Sequence, residues 1–172
     1  NEKTYVFWKF QSRLLQILIT YPSNRKEITM SKELMEYFNA QPRLGTLSTA
    51  NSEGKVDVAY FGSAQMTDEK TVVVGLGHNR SFKNLRENPY AVFMIMQPGK
   101  EPTSWKGVRV YLKMTEFQES GRKLDEIRAR IAQKVGEMTA QKMIHAYVQF
   151  QIEEIRPFAD FGQTWRKSIG AE

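Results

Sequence analysis

From Thr71 to Pro89 the chain reads TVVVGLGHNRSFKNLRENP. A β-branched run, Thr71 to Val74, suits a buried strand, and Gly75 and Gly77 let the backbone turn or approach a ligand closely. Asn79 is a good N-cap, which places Arg80 and Ser81 in the first turn of a short helix. Unpaired N–H groups, the positive end of the helix dipole, a guanidinium and a hydroxyl then converge on one point. That combination is an anion site, most naturally for a phosphate. The plainer alternative is an ordinary strand-to-helix turn with solvated Arg80 and Lys83. Neither G-x-x-x-x-G-K-[ST] nor G-x-G-x-x-G fits, because Phe82 stands where a third glycine should be.

Outward from this segment the pattern is mostly period two. Ser31 to Ala40 reads as a short amphipathic helix with Ser31 as N-cap, ended by Pro42. Leu44 to Thr49 is a strand, Asn51 to Gly54 a hairpin turn, and Val56, Val58 and Tyr60 continue the alternation. A turn at Thr67 to Lys70 leads to a third strand over Thr71 to Leu76. Tyr90 to Met96 follows the short helix, and Gln97 to Ser104 is a loop with two prolines. Lys106 to Phe117 is a fifth strand, Glu119 to Met138 the longest helix, and Ala146 to Ile155 a sixth strand before the tail FADFGQTW. Six strands in hairpin order with few helices predict a mainly β fold, an antiparallel barrel closed or partly closed, with flanking helices.

Composition narrows the function. The 172 residues suffice for one domain with a substantial core, and there is no cysteine for disulfides, thiolate catalysis or a cysteine metal site. Two histidines, His78 and His145, make a poor zinc site. They read as turn or packing residues, and no Ser-His-Asp constellation can be argued from them. Of the net charge of +6, half lies in residues 1–29 (Lys3, Lys9, Arg13, Arg25 and Lys26 against Glu2 and Glu27). Elsewhere acids and bases alternate, as on a solvated helix face, which argues against nucleic acid. No apolar run is long enough to span a bilayer, and a cytoplasmic location fits the lack of cysteine.

The run HNRSFKNLRENPYAVFMI resembles the helix and following strand of the pyridoxamine 5′-phosphate oxidase-like FMN-binding split-barrel family. Members carry a basic residue followed by Lys, Ser or Thr, then N-L-x-x-N/D-P and a hydrophobic strand. QPRLGTLSTANSEGKVDVAYFGSA and WKGVRVYLKMTEF agree as a first hairpin and a later strand, so the similarity runs from about Ser31 to Trp165. It implies a six-stranded antiparallel split β-barrel over residues 30–172, with two subunits and FMN between them. Residues 1–29 are then an extension, read as a peripheral helix packing on the barrel, a membrane-surface segment, or sequence not belonging to the native product. Their apolar residues from Tyr5 to Ile19 lie almost all round a helix. Arg25 to Glu27 is encodable as a purine-rich ribosome-binding sequence, and Met30 is favoured as the natural start.

The resemblance also implies roles. The FMN phosphate falls to Arg80 and Ser81, with Lys83 and Asn84 close by. The isoalloxazine ring rests against Val58, Ala59, Tyr60, Phe61 and Gly62 on one strand and Val74, Gly75 and Leu76 on another. The partner subunit supplies Trp105, Lys106, Gly107 and Trp165, although core or dimer packing is the plainer reading of both tryptophans. Because Tyr60 and Phe61 point to opposite faces of their strand, only one can line the ring. Family members with full oxidase activity commonly have an arginine near the start of the first of these segments, where this chain has Ala59. The terminal R-L-x-P and Arg-x-His motifs of genuine pyridoxamine phosphate oxidase are absent from RPFADFGQTWRKSIGAE. The implied protein is an FMN-dependent oxidoreductase of another substrate. An FMN carrier or electron-transfer protein, or a haem- or deazaflavin-binding relative, needs the same barrel.

Overall fold

Period-two alternation builds most of the protein, and its inward positions become a single core. The computed structural model describes residues 32–171. Helix α1 (Lys32–Asn39) precedes strands β1 (Leu44–Ala50), β2 (Val56–Tyr60), β3 (Gln65–Met66) and β4 (Thr71–Leu76). Helix α2 (Arg80–Glu87), β5 (Tyr90–Gln97) and a 3₁₀ turn (Pro102–Ser104) lead into the long β6 (Lys106–Gln118). Helices α3 (Arg122–Val135) and α4 (Glu137–Met143), strand β7 (Ala146–Pro157) and helix α5 (Trp165–Ile169) complete the order.

The strands form one antiparallel sheet in the order β2-β1-β5-β6-β7-β4-β3. Leu47, Phe93, Ile95, Val108, Val110, Leu112, Val148, Phe150, Val72, Val74 and Leu76 are all buried in one cluster. Strands far apart in the sheet therefore meet across that cluster, so the sheet is rolled around it and open between its two edges. Helix α1 contributes Leu34 and Phe38, with the Phe38 ring 5.2 Å from that of Phe93. A second, smaller cluster lies under α3 on the other face of β4 and β7, built from Val73, Leu124, Ile127, Ile144 and Tyr147. Among the described residues no helix is long and apolar enough to cross a membrane.

The mainly antiparallel barrel with flanking helices is as the sequence predicts, with corrections. There are seven strands and not six, because the two-residue β3 pairs with β4 just ahead of the Thr67 to Lys70 turn, where two residues are too few to show a period. Hairpin neighbours account for four of the strand contacts, whereas β1–β5 and β4–β7 join strands distant in sequence. The long helix ends at Val135, since Gly136 takes φ 86 and the chain restarts as α4. That positive φ suits glycine and breaks the helical run. The tail forms α5, capped by Thr164, whose side chain accepts from the Lys167 N–H, and closed by Gly170 at φ 77. The proposed N-cap Ser31 and the extension before it lie outside the described residues.

Gly75 shows how tightly α3 sits on β4. A Cβ there would stand 3.0 Å from Ile144 Cγ2, 3.2 Å from Ile131 Cδ1 and 3.3 Å from Ile127 Cδ1. Gly75→Val is expected to lift α3 and destabilise the fold by about 1–3 kcal/mol, read as a lowered Tm and denaturant midpoint.

Candidate functional site

The β4–α2 junction is organised by Asn79. Its backbone is extended, its side chain accepts from the Phe82 N–H at 2.9 Å, and its carbonyl accepts from the Lys83 N–H at 3.2 Å. The N–H groups of Arg80 and Ser81 therefore precede the first intrahelical bond and point out of the helix start, where the dipole is positive. Ser81 and Arg80 lie in the first turn, as the sequence predicts. Ser81 is buried, while the Arg80 side chain is 74% exposed.

Three residues spaced three apart on the inner side of α2 tie it to the β1–β2 hairpin. Ser81 Oγ donates to Asp57 Oδ2 at 3.2 Å. Asn84 Nδ2 donates to Thr49 Oγ1 at 3.0 Å, with both residues buried. Glu87 Oε2 accepts from the Ser52 N–H at 3.1 Å and its hydroxyl at 2.9 Å. The bond from the Ser52 N–H holds the Glu87 carboxyl below its ordinary range, and the hydroxyl adds to it. Residues three apart share a helix face, so one stripe reads onto one hairpin. Phe82 and Leu85 add the apolar part, Phe82 packing beside Phe117 with ring centres 5.1 Å apart.

Asp57 sits at the centre of this arrangement. It pairs with Thr49 across β1 and β2, and its carboxylate is 3.8 Å from Arg80 Nη1 with only 18% of its side chain exposed. Sequence reasoning missed Asp57, Thr49 and Glu87. The S-x-x-N-x-x-E spacing at 81, 84 and 87 signals a polar helix face, but the hairpin it meets is fixed only by long-range pairing.

The opposite face of β2 from Asp57 is an exposed apolar surface. Val56, Val58 and Tyr60 of β2 are 76%, 61% and 62% exposed. Cross-strand pairing puts them on one face with Thr46, Ser48 and Ala50 of β1, of which Thr46 and Ser48 pair in turn with β5. Thr46 pairs with Tyr60 and Met94, and its hydroxyl is buried without a partner. Phe61 is half-buried against the core, so Tyr60 alone of the two faces outward. Ala59 is half-buried opposite Leu47, and a Cβ at Gly62 would meet Tyr60 Oη at 2.9 Å.

The other predicted positions lie elsewhere. Val74 and Leu76 are buried in the core, and Gly75 faces α3. Lys83 is exposed on α2. Gly107 pairs with Met96, itself opposite Leu44, so Trp105, Lys106 and Gly107 lie at the other end of β1 from Thr49. There Trp105 stacks on Phe158, Ser168 Oγ donates to the Gly107 carbonyl at 2.6 Å, and Trp165 packs on the core. Among the described residues that group therefore sits at the opposite end of β1 from the point where α2 is fastened. His78 and His145 stack at 4.4 Å, with Glu119 Oε1 3.7 Å from His78 Nε2. Among the described residues no group of His, Cys, Asp or Glu is arranged to hold a metal.

Asn84→Ala leaves the buried Thr49 hydroxyl without its donor, and is expected to cost about 1–3 kcal/mol in chemical denaturation. Thr49→Val combined with Asn84→Leu removes both partners and is expected to recover part of that loss.

The model of the pyridoxamine 5′-phosphate oxidase family matches residues 30–157. No functionally curated protein matches the sequence. Among solved structures, an FMN-binding protein from Syntrophomonas wolfei subsp. wolfei superimposes with TM-score 0.63 at 22% identity, covering 87% of this chain and 95% of its own. The haem storage protein HutZ from Vibrio cholerae gives 0.54 at 18% identity, with 73% and 92% covered. An F420 reductase gives 0.54 at 15% identity, with 72% and 93% covered. At such identities the likeness is one of fold, and the three namesakes differ in what they bind. The matched segment spans β1 to β7 and contains the whole β4–α2 junction, so the chain belongs to the pyridoxamine 5′-phosphate oxidase family.

Proposed function

We propose that this protein binds FMN, with the phosphate at the start of α2 and the isoalloxazine ring against the exposed face of β2, and acts as an FMN-dependent oxidoreductase. Its substrate is one other than pyridoxamine 5′-phosphate. One observation carries the reading: a guanidinium, a hydroxyl and two open helix N–H groups gather at Asp57 of β2, the strand whose alternate residues Val58 and Tyr60 present an apolar face outward. Family membership supports it, as does the fold shared with an FMN-binding protein.

The donor set suits the cofactor. A phosphate takes charge-assisted hydrogen bonds from Arg80 and Ser81 and from backbone N–H groups. A flat conjugated ring gains from Val58 and Tyr60, which otherwise leave apolar surface in water. When bound, FMN supplies the redox chemistry; the chain supplies binding, orientation and exclusion of water. Arg80 and Ser81 anchor, Asn79 and Asn84 hold those anchors in place, and Val58 and Tyr60 shield the ring. The missing R-L-x-P and Arg-x-His motifs support a different substrate.

A homodimer completes this site. The β2 face with Leu44 and Tyr90, both largely exposed, forms a broad apolar surface of the kind that a second copy covers. Trp105, Lys106, Gly107 and Trp165, remote from α2 in their own chain, are the residues the partner would bring to the ring. Sedimentation of the FMN-loaded protein at tens of micromolar is expected to give a dimer, and a monomer there contradicts the shared site.

Arg80→Ala removes a charge-assisted contact worth about 1.5–3 kcal/mol, or roughly ten- to over a hundred-fold in FMN affinity. Ser81→Ala is expected to cost less. Riboflavin, which lacks the phosphate, is expected to bind the wild type much more weakly than FMN and Arg80→Ala about as weakly. Fluorescence titration reads both affinities, and an Arg80→Ala protein that keeps full FMN affinity and preference contradicts the phosphate assignment.

A further inference from the structure

We propose that Asp57 is the resident anion of this site, engaging the side chains a ligand phosphate would recruit and thereby setting how tightly a phosphorylated ligand is held. The inference rests on the phosphate reading above and goes beyond it, because it concerns a residue whose charge opposes the ligand's. Ser81 Oγ already donates to Asp57 Oδ2 at 3.2 Å, and Arg80 Nη1 stands 3.8 Å from Asp57 Oδ1. Asp57 is itself held by strand pairing opposite Thr49, which Asn84 fixes to α2. The carboxylate is therefore built into the floor of the junction and is not a passing surface contact.

Arg80 and Asp57 offset each other, leaving the helix-start N–H groups and the exposed Lys83 as the positive elements near the junction. An incoming phosphate must take Arg80 and Ser81 from Asp57 or share them with it, and two anions on one guanidinium repel. Asp57 thus keeps Arg80 and Ser81 ordered when no ligand is bound and weakens their hold on phosphate when one is. A site so balanced depends on the ring contacts for much of its affinity, and inorganic phosphate alone should bind poorly.

Asp57→Asn keeps an acceptor for Ser81 and removes the charge; Asp57→Ala removes both. FMN and riboflavin titrations of the wild type, both Asp57 variants, Arg80→Ala and Asp57→Asn with Arg80→Ala test the idea, with unfolding of the ligand-free proteins confirming the fold. Asp57→Asn is expected to bind FMN roughly two- to fivefold more tightly than the wild type, with riboflavin affinity unchanged. Asp57→Ala is expected to shift the same way. The gain should shrink in the double variant, because it comes through Arg80. Unchanged or weaker FMN binding by folded Asp57 variants overturns the inference alone, provided the wild type prefers FMN over riboflavin and Arg80→Ala loses that preference. A wild type without that preference overturns the phosphate reading and this inference with it.

Discussion

The site depends on how α2 is fastened to the β1–β2 hairpin. Ser81, Asn84 and Glu87 reach Asp57, Thr49 and Ser52 from one face of a two-turn helix. Eight residues are too few for a helix to be stable by itself, so these bonds and the burial of Phe82 and Leu85 hold it. The fastening also aims the helix. With Asn84 locked to Thr49, the first turn holds Arg80 and Ser81 against Asp57, on the face of β2 opposite to Val58 and Tyr60. The pairings β1–β5 and β4–β7 bring the two ends of this arrangement together from distant parts of the chain.

Local signals carried the sequence reading far. Asn79 is recognisable as a cap because an Asx side chain ahead of a helical stretch has few better uses. Leu47, Val110, Phe150 and their neighbours announce an inward face by alternation. The same alternation at Val56, Val58 and Tyr60 shows a strand without showing which side is wet, and here the apolar side faces out. Periodicity fixes which residues share a face; only the rest of the sheet decides where that face points. Asp57 illustrates the limit most clearly. In sequence it is one polar position in an alternating strand, and its meaning comes from α2, more than twenty residues later. β3 is two residues long and α5 five, too short to leave a period.

The barrel by itself does not choose a cofactor, since the same fold serves proteins named for FMN, haem and F420. The choice lies in local chemistry. At the α2 junction that chemistry is hydroxyl, guanidinium and backbone N–H, the partners of a phosphate and not of a metal centre. The two histidines are engaged with each other, and His145 Nε2 also lies 3.0 Å from the Lys142 carbonyl.

The visible absorption spectrum of the purified protein tests the central claim most directly, followed by chromatography of whatever it releases on denaturation. The paired bands of an oxidised flavin and release of FMN are expected. A Soret band, or a released deazaflavin, would contradict the claim.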